Sequence, residues 1–219
     1  MMSIPLSDAP IREALCRHLV ETSSAEMIVR EELAVDAARI DVARIGDCLE
    51  GFEIKSDVDK LCRLDGQVQA FNGVFDKLTL VVGHVHWNSG SRRIPPWWGV
   101  ILAECSERGH GVVLRHIRKP QQNPEQRASR LARLLWRGEL DRVFSEVTGK
   151  RAPKRSSRAD VAERFDDEAH LDPVRQFVTS RLRDAHRWES LKAELLEQEQ
   201  KKRPVSSDRE RCLVSVECL

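Results

Sequence analysis

The stretch Arg39-Ile-Asp-Val-Ala-Arg-Ile-Gly-Asp-Cys-Leu-Glu-Gly-Phe-Glu-Ile-Lys-Ser-Asp57 predicts a β-hairpin around which the rest of the chain is organised. Two runs that alternate apolar and polar residues, 39–45 and 49–55, flank a Gly-Asp turn signal. Because successive side chains of a strand point to opposite faces, the first arm is expected to place Ile40 and Val42 on one face and Asp41 on the other.

The second arm of the hairpin repeats this alternation. Phe52 and Ile54 form its apolar face and are expected in the core, and Glu53 and Lys55 share the opposite face. A three-residue loop or one bulge places Asp41 opposite Glu53, whereas a two-residue loop would mismatch the two faces. We expect the matched register, in which two carboxylates about 5 Å apart at Cβ converge in a pocket as a divalent cation requires.

These residues resemble the PD-(D/E)xK phosphodiesterase superfamily, which includes many restriction enzymes, repair nucleases and junction resolvases. Asp41 corresponds to the Asp of that motif, and Glu53-Ile-Lys55 corresponds to its (D/E)xK. Ile40 stands where the name-giving Pro would be, a Pro that is commonly absent. The resemblance implies a restriction-endonuclease-like core.

Further matches extend the resemblance over residues 10 to about 120. Glu32 resembles the additional metal-binding Glu that many members place on a preceding helix, and Gln67 with Phe71 resembles the QxxxY element of the exonuclease-like branch, with Phe for Tyr. Longer segments look like a bacterial group of uncharacterised nuclease-like proteins, namely Arg-Ile-Asp-Val-Ala, Gly-Phe-Glu-Ile-Lys-Ser-Asp, Val-Phe-Asp-Lys-Leu-Thr-Leu-Val-Val and Pro-Trp-Trp-Gly.

The resemblance implies a nuclease that uses Mg²⁺ or Mn²⁺ and acts on DNA, with RNA as the other candidate substrate. The implied metal ligands are Glu32, Asp41, Glu53 and the backbone carbonyl of Ile54, and Glu31 is the alternative to Glu32. Lys55 would orient or help deprotonate the attacking water and offset negative charge. Gln67 would position the water or the phosphate.

Two other interpretations of the charged hairpin stay open. The chain could be a nucleic-acid-binding or interaction module that keeps the nuclease fold without cleavage. Alternatively, Lys55 could form purely structural salt bridges with the two acids. Substrate form, endonuclease or exonuclease action, biological role and oligomeric state do not follow from the sequence.

The flanking patterns predict a mixed α/β domain over residues 1–118. A helix opens near Asp8, a second, short helix spans about Ser24 to Leu33, and a third runs from Ser56 to about Asn72. Further strands are predicted over residues 77–82, 98–103 and 112–118. A strand-helix-strand crossover after the hairpin predicts parallel pairing, and therefore a mixed central sheet flanked by helices.

Beyond a polar, proline-marked segment that starts at Lys119, all patterns are helical, which predicts a helical unit over residues 119–200 and a flexible tail over 201–219. Apolar stripes recur around Leu131, Phe144 and Phe177, and continue through Trp188. The basic loop 149–158 contains no aromatic residue, and binding to phosphate and simple solvation are equally compatible with it.

Composition limits the class of protein. Lys and Arg total 36 against 35 Asp and Glu, so any nucleic-acid binding must come from a local patch. The six cysteines contain no CxxC pair and are expected to be reduced thiols, with no zinc site or disulfide framework. Neither a signal peptide nor an apolar run of about 18 residues occurs, so the expected location is the cytoplasm, without a membrane partner.

Overall fold

The computed structural model describes residues 5–106, 111–166 and 171–185, which build a mixed sheet with helices on both faces. The six strands are hydrogen-bonded in chain order, and only β3-β4 and β4-β5 are parallel pairs. The mixed sheet flanked by helices was predicted, and it is confirmed. The strands are β1 (Ile28–Val35), β2 (Ala38–Ile45), β3 (Leu49–Lys55), β4 (Lys77–Gly83), β5 (Gly99–Cys105) and β6 (Val112–Arg118).

Seven described segments are α-helical. They are α1 (Asp8–Thr22), α2 (Leu64–Asn72), α3 (Trp87–Ser91), α4 (Ala128–Ala132), α5 (Arg137–Thr148), α6 (Arg158–Glu163) and α7 (residues 171–185). Within the described part of the chain, no helix combines the length and the apolar character needed to cross a membrane. The four described cysteines form no disulfide, and the other two cysteines lie outside the described residues.

The hairpin of β2 and β3 has the predicted register. Its three-residue loop, 46–48, pairs Ile45 with Leu49 and Val42 with Phe52. The pairing of the two strands ends at Val42 and Phe52, before Asp41 and Glu53. The prediction of a three-residue loop is therefore confirmed.

The predicted short helix from Ser24 to Leu33 is wrong, because residues 28–35 form strand β1. This strand turns directly into β2 at residues 36–37, where Asp36 adopts a φ of 50°, as tight hairpin turns require. Leu33 and Val35 alternate into the core, and the main-chain groups of β1 that face β2 gain partners there, which an isolated two-turn helix could not supply.

The strands β1 and β2 exchange their faces at Glu32 and Asp41. Val42 belongs to the hydrophobic cluster on one face of the sheet, whereas Ile40 and Leu33 belong to the cluster on the other face. The expectation that Ile40 and Val42 share a face is therefore wrong. Glu32 takes up the irregularity with a φ of 56°, a left-handed conformation that costs a non-glycine residue about 1–3 kcal/mol.

Helix α1 covers one face of the sheet. As predicted, Ile11, Leu15 and Leu19 are buried in its contact with the sheet. Phe52 and Ile54 belong to the same cluster and are 6% and 2% exposed, so the predicted core positions of this arm are confirmed. Helix α2 and the later helices cover the other face.

The third predicted helix begins later than expected, at Leu64 rather than Ser56. The carboxylate of Asp59 accepts hydrogen bonds from the backbone N–H and the hydroxyl of Ser56, and it holds these residues in a turn. Asp57 likewise accepts from the N–H groups of Leu6 and Val85. These local bonds compete with helix formation in the way that is typical of Asp and Ser.

The helices that follow the sheet complete its larger core. Residues such as Leu131, Leu140 and Phe165 belong to the same hydrophobic cluster as β4 and α2. Met1–Asp184 forms one compact unit, so the boundary predicted at residue 119 does not coincide with a break in packing. The second unit, Ala185–Leu219, lies outside the described residues except for its first residue, and so do Trp188 and the predicted tail.

Candidate functional site

Asp41 lies where β2 and β3 begin to separate. Its Oδ2 accepts a hydrogen bond of 2.7 Å from the backbone N–H of Ile54, in place of a further bond between the two strands. Its Oδ1 lies 3.1 Å from the guanidinium of Arg12. Burial raises the pKa of Asp41, while the Ile54 N–H, Lys55 and Arg12 oppose the rise.

Glu53 and Lys55 lie on the sheet face that α2 covers, since they are level with Leu80 and Val82 of the neighbouring strand. Glu53 is fully buried, and Lys55 is 6% exposed. The Lys55 ammonium donates to Oε1 of Glu53 and, at 3.3 Å, to the backbone carbonyl of Ile54. A carboxylate and a carbonyl oxygen therefore already converge on one positive charge.

The second carboxylate oxygen of Glu53, Oε2, is buried without a hydrogen-bond partner among the described residues, and Oε1 of Gln67 is in the same state. Burial raises the pKa of Glu53 to about 8, and the Asp41 carboxylate adds to the rise, whereas Lys55 and Gln67 oppose it. A fully buried acid next to a partly buried one is costly to ionise without a further cation.

Arg12 is a member of this cluster that sequence reasoning missed. Its guanidinium lies 2.9 Å from Oε1 of Glu32, and it donates to the Asp41 backbone carbonyl at 2.9 Å. It also pairs with Asp8 one helical turn earlier, and that i,i+4 spacing was its only signal in the sequence. Arg12 thus holds the carboxylates of Glu32 and Asp41 together.

Glu32 lies beside the Asp41 side of the site but is engaged by arginines. Its second oxygen is 3.2 Å from Arg39, in addition to the contact with Arg12. Glu31, its alternative, approaches Arg12 only at 3.9 Å. Glu32 was expected on a helix, and its place on β1 corrects that part of the prediction.

A groove of about 1020 Å³ runs between the β1-β2 hairpin and α2. Asp41, Gln67 and Glu32 line it, and so do three basic residues, Arg39, Arg63 and Arg130. Glu53 and Lys55 are not among the lining residues, although an open pocket containing both acids and Lys55 was expected. Asp41 and Gln67 border the groove, and Glu53 is buried next to them.

The donor set suits a hard divalent cation in part. No group of three or more His, Cys, Asp or Glu side chains is positioned to hold a metal ion within residues 5–106, 111–166 and 171–185. Asp41, Glu53 with its unpartnered Oε2, and the Ile54 carbonyl do supply the oxygen atoms that Mg²⁺ and Mn²⁺ prefer. Of the four implied ligands, Glu32 fits least well, because both its oxygens contact arginines.

The architecture is that of a mixed α/β protein with a carboxylate and lysine cluster at the point where two strands separate. The chain belongs to the Bacteriophage P4 protein cII family, whose model matches residues 5–210. It is 35% identical over 97 residues to Protein cII of Enterobacteria phage P4, a match that covers 44% of this chain and 36% of the relative. The match thus spans about a third of that curated relative's length.

A solved structure, a protein of unknown function from Silicibacter pomeroyi, overlays on this chain with a TM-score of 0.42. The overlay covers 92% of this chain and all of the other chain, at 14% sequence identity.

Proposed function

We propose that this chain is a phosphodiesterase that cleaves nucleic acid, most naturally DNA, with the help of Mg²⁺ or Mn²⁺. The observation that carries the proposal is the buried Glu53, whose Oε1 meets Lys55 and whose Oε2 has no partner among the described residues, next to the carboxylate of Asp41. Such a cluster is unfavourable in a protein whose ligand is itself a polyanion, unless a bound cation offsets it.

Asp41, Glu53 and the Ile54 carbonyl would hold the metal ion, which when bound lowers the pKa of a coordinated water and draws charge from the scissile phosphate. Glu32 would join them only after exchanging its contact with Arg12. The hydrogen bond from the Ile54 N–H orients the carboxylate of Asp41, and the carbonyl of the same residue accepts from Lys55, which also contacts Glu53.

Lys55 would place its positive charge beside the attacking water and the developing charge on the phosphate. Its near-complete burial holds the ammonium in one position, so little ordering is needed at the moment of reaction. Gln67 lies between the groove and Glu53, and its unpartnered Oε1 is available to orient a water molecule.

The groove supports a nucleic-acid substrate through its charge. Arg63 is exposed, and Arg39 and Arg130 contact the acids Glu32 and Asp36, from which a phosphate could displace them. A second hollow of about 720 Å³ shares the lining residue Arg130 with the groove, so a polyanion could contact both.

A second candidate function is nucleic-acid binding without cleavage. The contacts of Arg12 favour it, because one half-buried guanidinium already pairs with the carboxylates of both Asp41 and Glu32. In that case Lys55 would serve as the structural partner of Glu53, and no metal would be needed.

Thermal melts of Asp41→Ala, Glu53→Ala and Lys55→Ala, each with and without Mg²⁺ or Mn²⁺, distinguish the two candidates. If the acids bind metal, the ion stabilises wild type and Lys55→Ala but neither acid variant. In parallel, assays on labelled DNA and RNA should show that both acid variants lose cleavage and that Lys55→Ala falls by roughly 10²-fold or more. Glu146→Ala, which removes an exposed acid of α5, is the matched control.

The binding-only candidate predicts different results. Loss of Lys55 would leave the buried acids uncompensated, so the variant would melt at a lower temperature with or without metal. A wild-type protein that is neither stabilised by the ions nor able to cleave any substrate of the panel would refute the nuclease proposal.

A further inference from the structure

Trp136 is an exposed aromatic side chain that the proposed catalytic site does not use. It is 74% exposed, and no other aromatic side chain is among the large, strongly exposed apolar residues of the described chain. The residue precedes α5, where its backbone N–H donates to the carboxylate of Glu139 at 2.9 Å. The backbone around the exposed ring is therefore held in place.

The loop after α5 carries a local excess of positive charge. Helix α5 ends at Thr148 and is capped by Gly149, whose φ of 68° suits a glycine, and residues 149–158 contain no acid. All five basic side chains of the loop are exposed, and none forms an ion pair with a described residue, in contrast to Arg12, Arg130 and most arginines of the helices. These five residues are Lys150, Arg151, Lys154, Arg155 and Arg158, the last of which is the first residue of α6.

Arg137, the first residue of α5, holds this loop against the beginning of the helix. Its guanidinium donates to the backbone carbonyl of Pro153 at 3.1 Å and to that of Ser156, while it also pairs with Asp141 at 2.8 Å. Trp136 is the residue directly before Arg137. We call Trp136 together with residues 150–158 the Trp136 surface, because this link places the exposed aromatic ring and the unpaired cations on the same region of the protein.

We propose that the Trp136 surface binds single-stranded nucleic acid, with Trp136 stacking on a base and the loop cations contacting phosphates. Sequence-tolerant binding to single strands combines a positively charged track with an aromatic platform, and this surface has both. In a duplex, the faces of the bases are already stacked on one another and cannot reach an exposed indole. A folded protein partner would have to supply acidic side chains to five exposed cations, in addition to a pocket for the indole ring.

Binding at this surface needs neither a metal ion nor the acids of the groove. The test therefore measures, in EDTA, the affinity of the full chain for a fluorescein-labelled oligothymidylate of about 16 nucleotides, by anisotropy over a series of salt concentrations. The variants are Trp136→Ala, Trp136→Phe and the double change Lys154→Gln with Arg155→Gln. Val85→Ala truncates another strongly exposed apolar side chain, far along the sequence, and serves as the control for Trp136→Ala.

Trp136→Ala should weaken binding by roughly ten-fold or more, and Trp136→Phe should keep most of the affinity. The double change should lower the slope of log K against log salt by about 0.7 for each phosphate that the loop no longer neutralises. Arg17→Gln with Arg115→Gln, two exposed arginines that pair with acids, is the matched charge control and should leave the slope unchanged. Thermal melts check that every variant is folded.

Three results would overturn the proposal. The first is an unchanged affinity of Trp136→Ala, and the second is tighter binding of a duplex of the same length. The third is the loss of self-association by Trp136→Ala in sedimentation with single-strand affinity intact, which would make the surface a protein contact. Because these measurements need no cleavage, loss of nuclease activity in a protein that still binds the oligonucleotide would refute only the proposed function.

Discussion

Glu53 has a pKa that makes the stability of the protein depend on pH. An ordinary glutamate deprotonates near 4.5, whereas burial and the nearby Asp41 carboxylate hold the pKa of Glu53 at about 8 in the folded protein. Between these two values the folded state binds more protons at this position than the unfolded state does. The free energy of unfolding contributed by Glu53 therefore falls as pH rises through this window.

In EDTA, the wild-type melting temperature should thus decline from about pH 5 to about pH 8 more steeply than that of Glu53→Gln, which keeps the shape of the side chain but cannot ionise. Added Mg²⁺ should reduce the decline, because binding to the carboxylate displaces the proton. Melts over a pH series check this, with Glu146→Gln as the control. Parallel pH profiles of wild type and Glu53→Gln would contradict it.

The residues of the site differ in how far the sequence predicts them. The shared face of Glu53 and Lys55 follows from strand alternation, which is a local property, whereas Asp41 lies where β2 changes face. Arg12 meets Asp41 across 29 positions of the chain, and no local pattern indicates that contact. No local pattern predicts the left-handed conformation of Glu32 either, since it arises where the two paired strands β1 and β2 change face together.

At the level of elements, β3 is buried along its whole length and leaves no room for added atoms. A Cβ at Gly51 would lie 2.7 Å from Cδ2 of Leu78 and 3.0 Å from the ring of Phe75. Gly51→Ala should therefore destabilise the protein by about 1–3 kcal/mol, as overpacking does. Gly66, within α2, has nothing within 4 Å of its Cβ position, so Gly66→Ala should stabilise by about 0.5–1 kcal/mol.

Urea denaturation of the two glycine variants beside wild type gives both changes in the free energy of unfolding. The two variants are matched because each adds one methyl group, and the expected changes in their free energies of unfolding have opposite signs. If both alanine variants shift the urea midpoint of unfolding in the same direction, the prediction fails. Close packing of β3 against β4 and Phe75 would then not be what excludes a larger residue at position 51.

Strand β1 was predicted as a helix because its apolar residues fit both structures. Ile28, Val29 and Leu33 are compatible with one face of a short helix, and periodicity over so few residues does not separate the two structures. The choice of strand over helix is made by the neighbouring strand, because β2 pairs with β1 from Ile28 to Val35, except at position 32. Pairing of this kind depends on tertiary structure and overrides local preference.

For the molecule as a whole, the helices α4 to α7 stabilise the sheet. Leu140 of α5 is fully buried in the cluster that contains Leu80 of β4. Leu140→Ala should cost about 2–5 kcal/mol, and because the cluster is shared, the loss should appear in the sheet as well as in α5. Hydrogen exchange of the β4 amides under native conditions measures the effect at a distance from the substitution.

Arg142→Ala, on the exposed side of the same helix, is the control and should change stability by no more than about 0.5 kcal/mol. Faster exchange confined to residues 128–185 in Leu140→Ala, with β4 unaffected, would mean that the helices unfold independently of the sheet, as the predicted boundary at residue 119 implies.

The segment 119–124 resembles a linker in composition and is mostly exposed, but its residue Asn123 is anchored in the core. Asn123 is 6% exposed, and its side-chain amide donates to the backbone carbonyls of Asn72 and Phe75. Proline and polar residues in a sequence indicate only that helices and strands are interrupted. They do not reveal whether the interruption is solvated or, as here, satisfies buried carbonyl groups.

The strand order, which follows the order of the chain, has a consequence for synthesis on the ribosome. Each strand from β2 to β6 pairs with the strand made immediately before it, so the sheet can extend as the chain emerges. One face is covered early by α1, but the cover of the other face is complete only with residues as late as Leu182. The nascent chain must therefore expose this apolar face until the last helices arrive, which makes that interval the period of greatest exposure to aggregation and to chaperones.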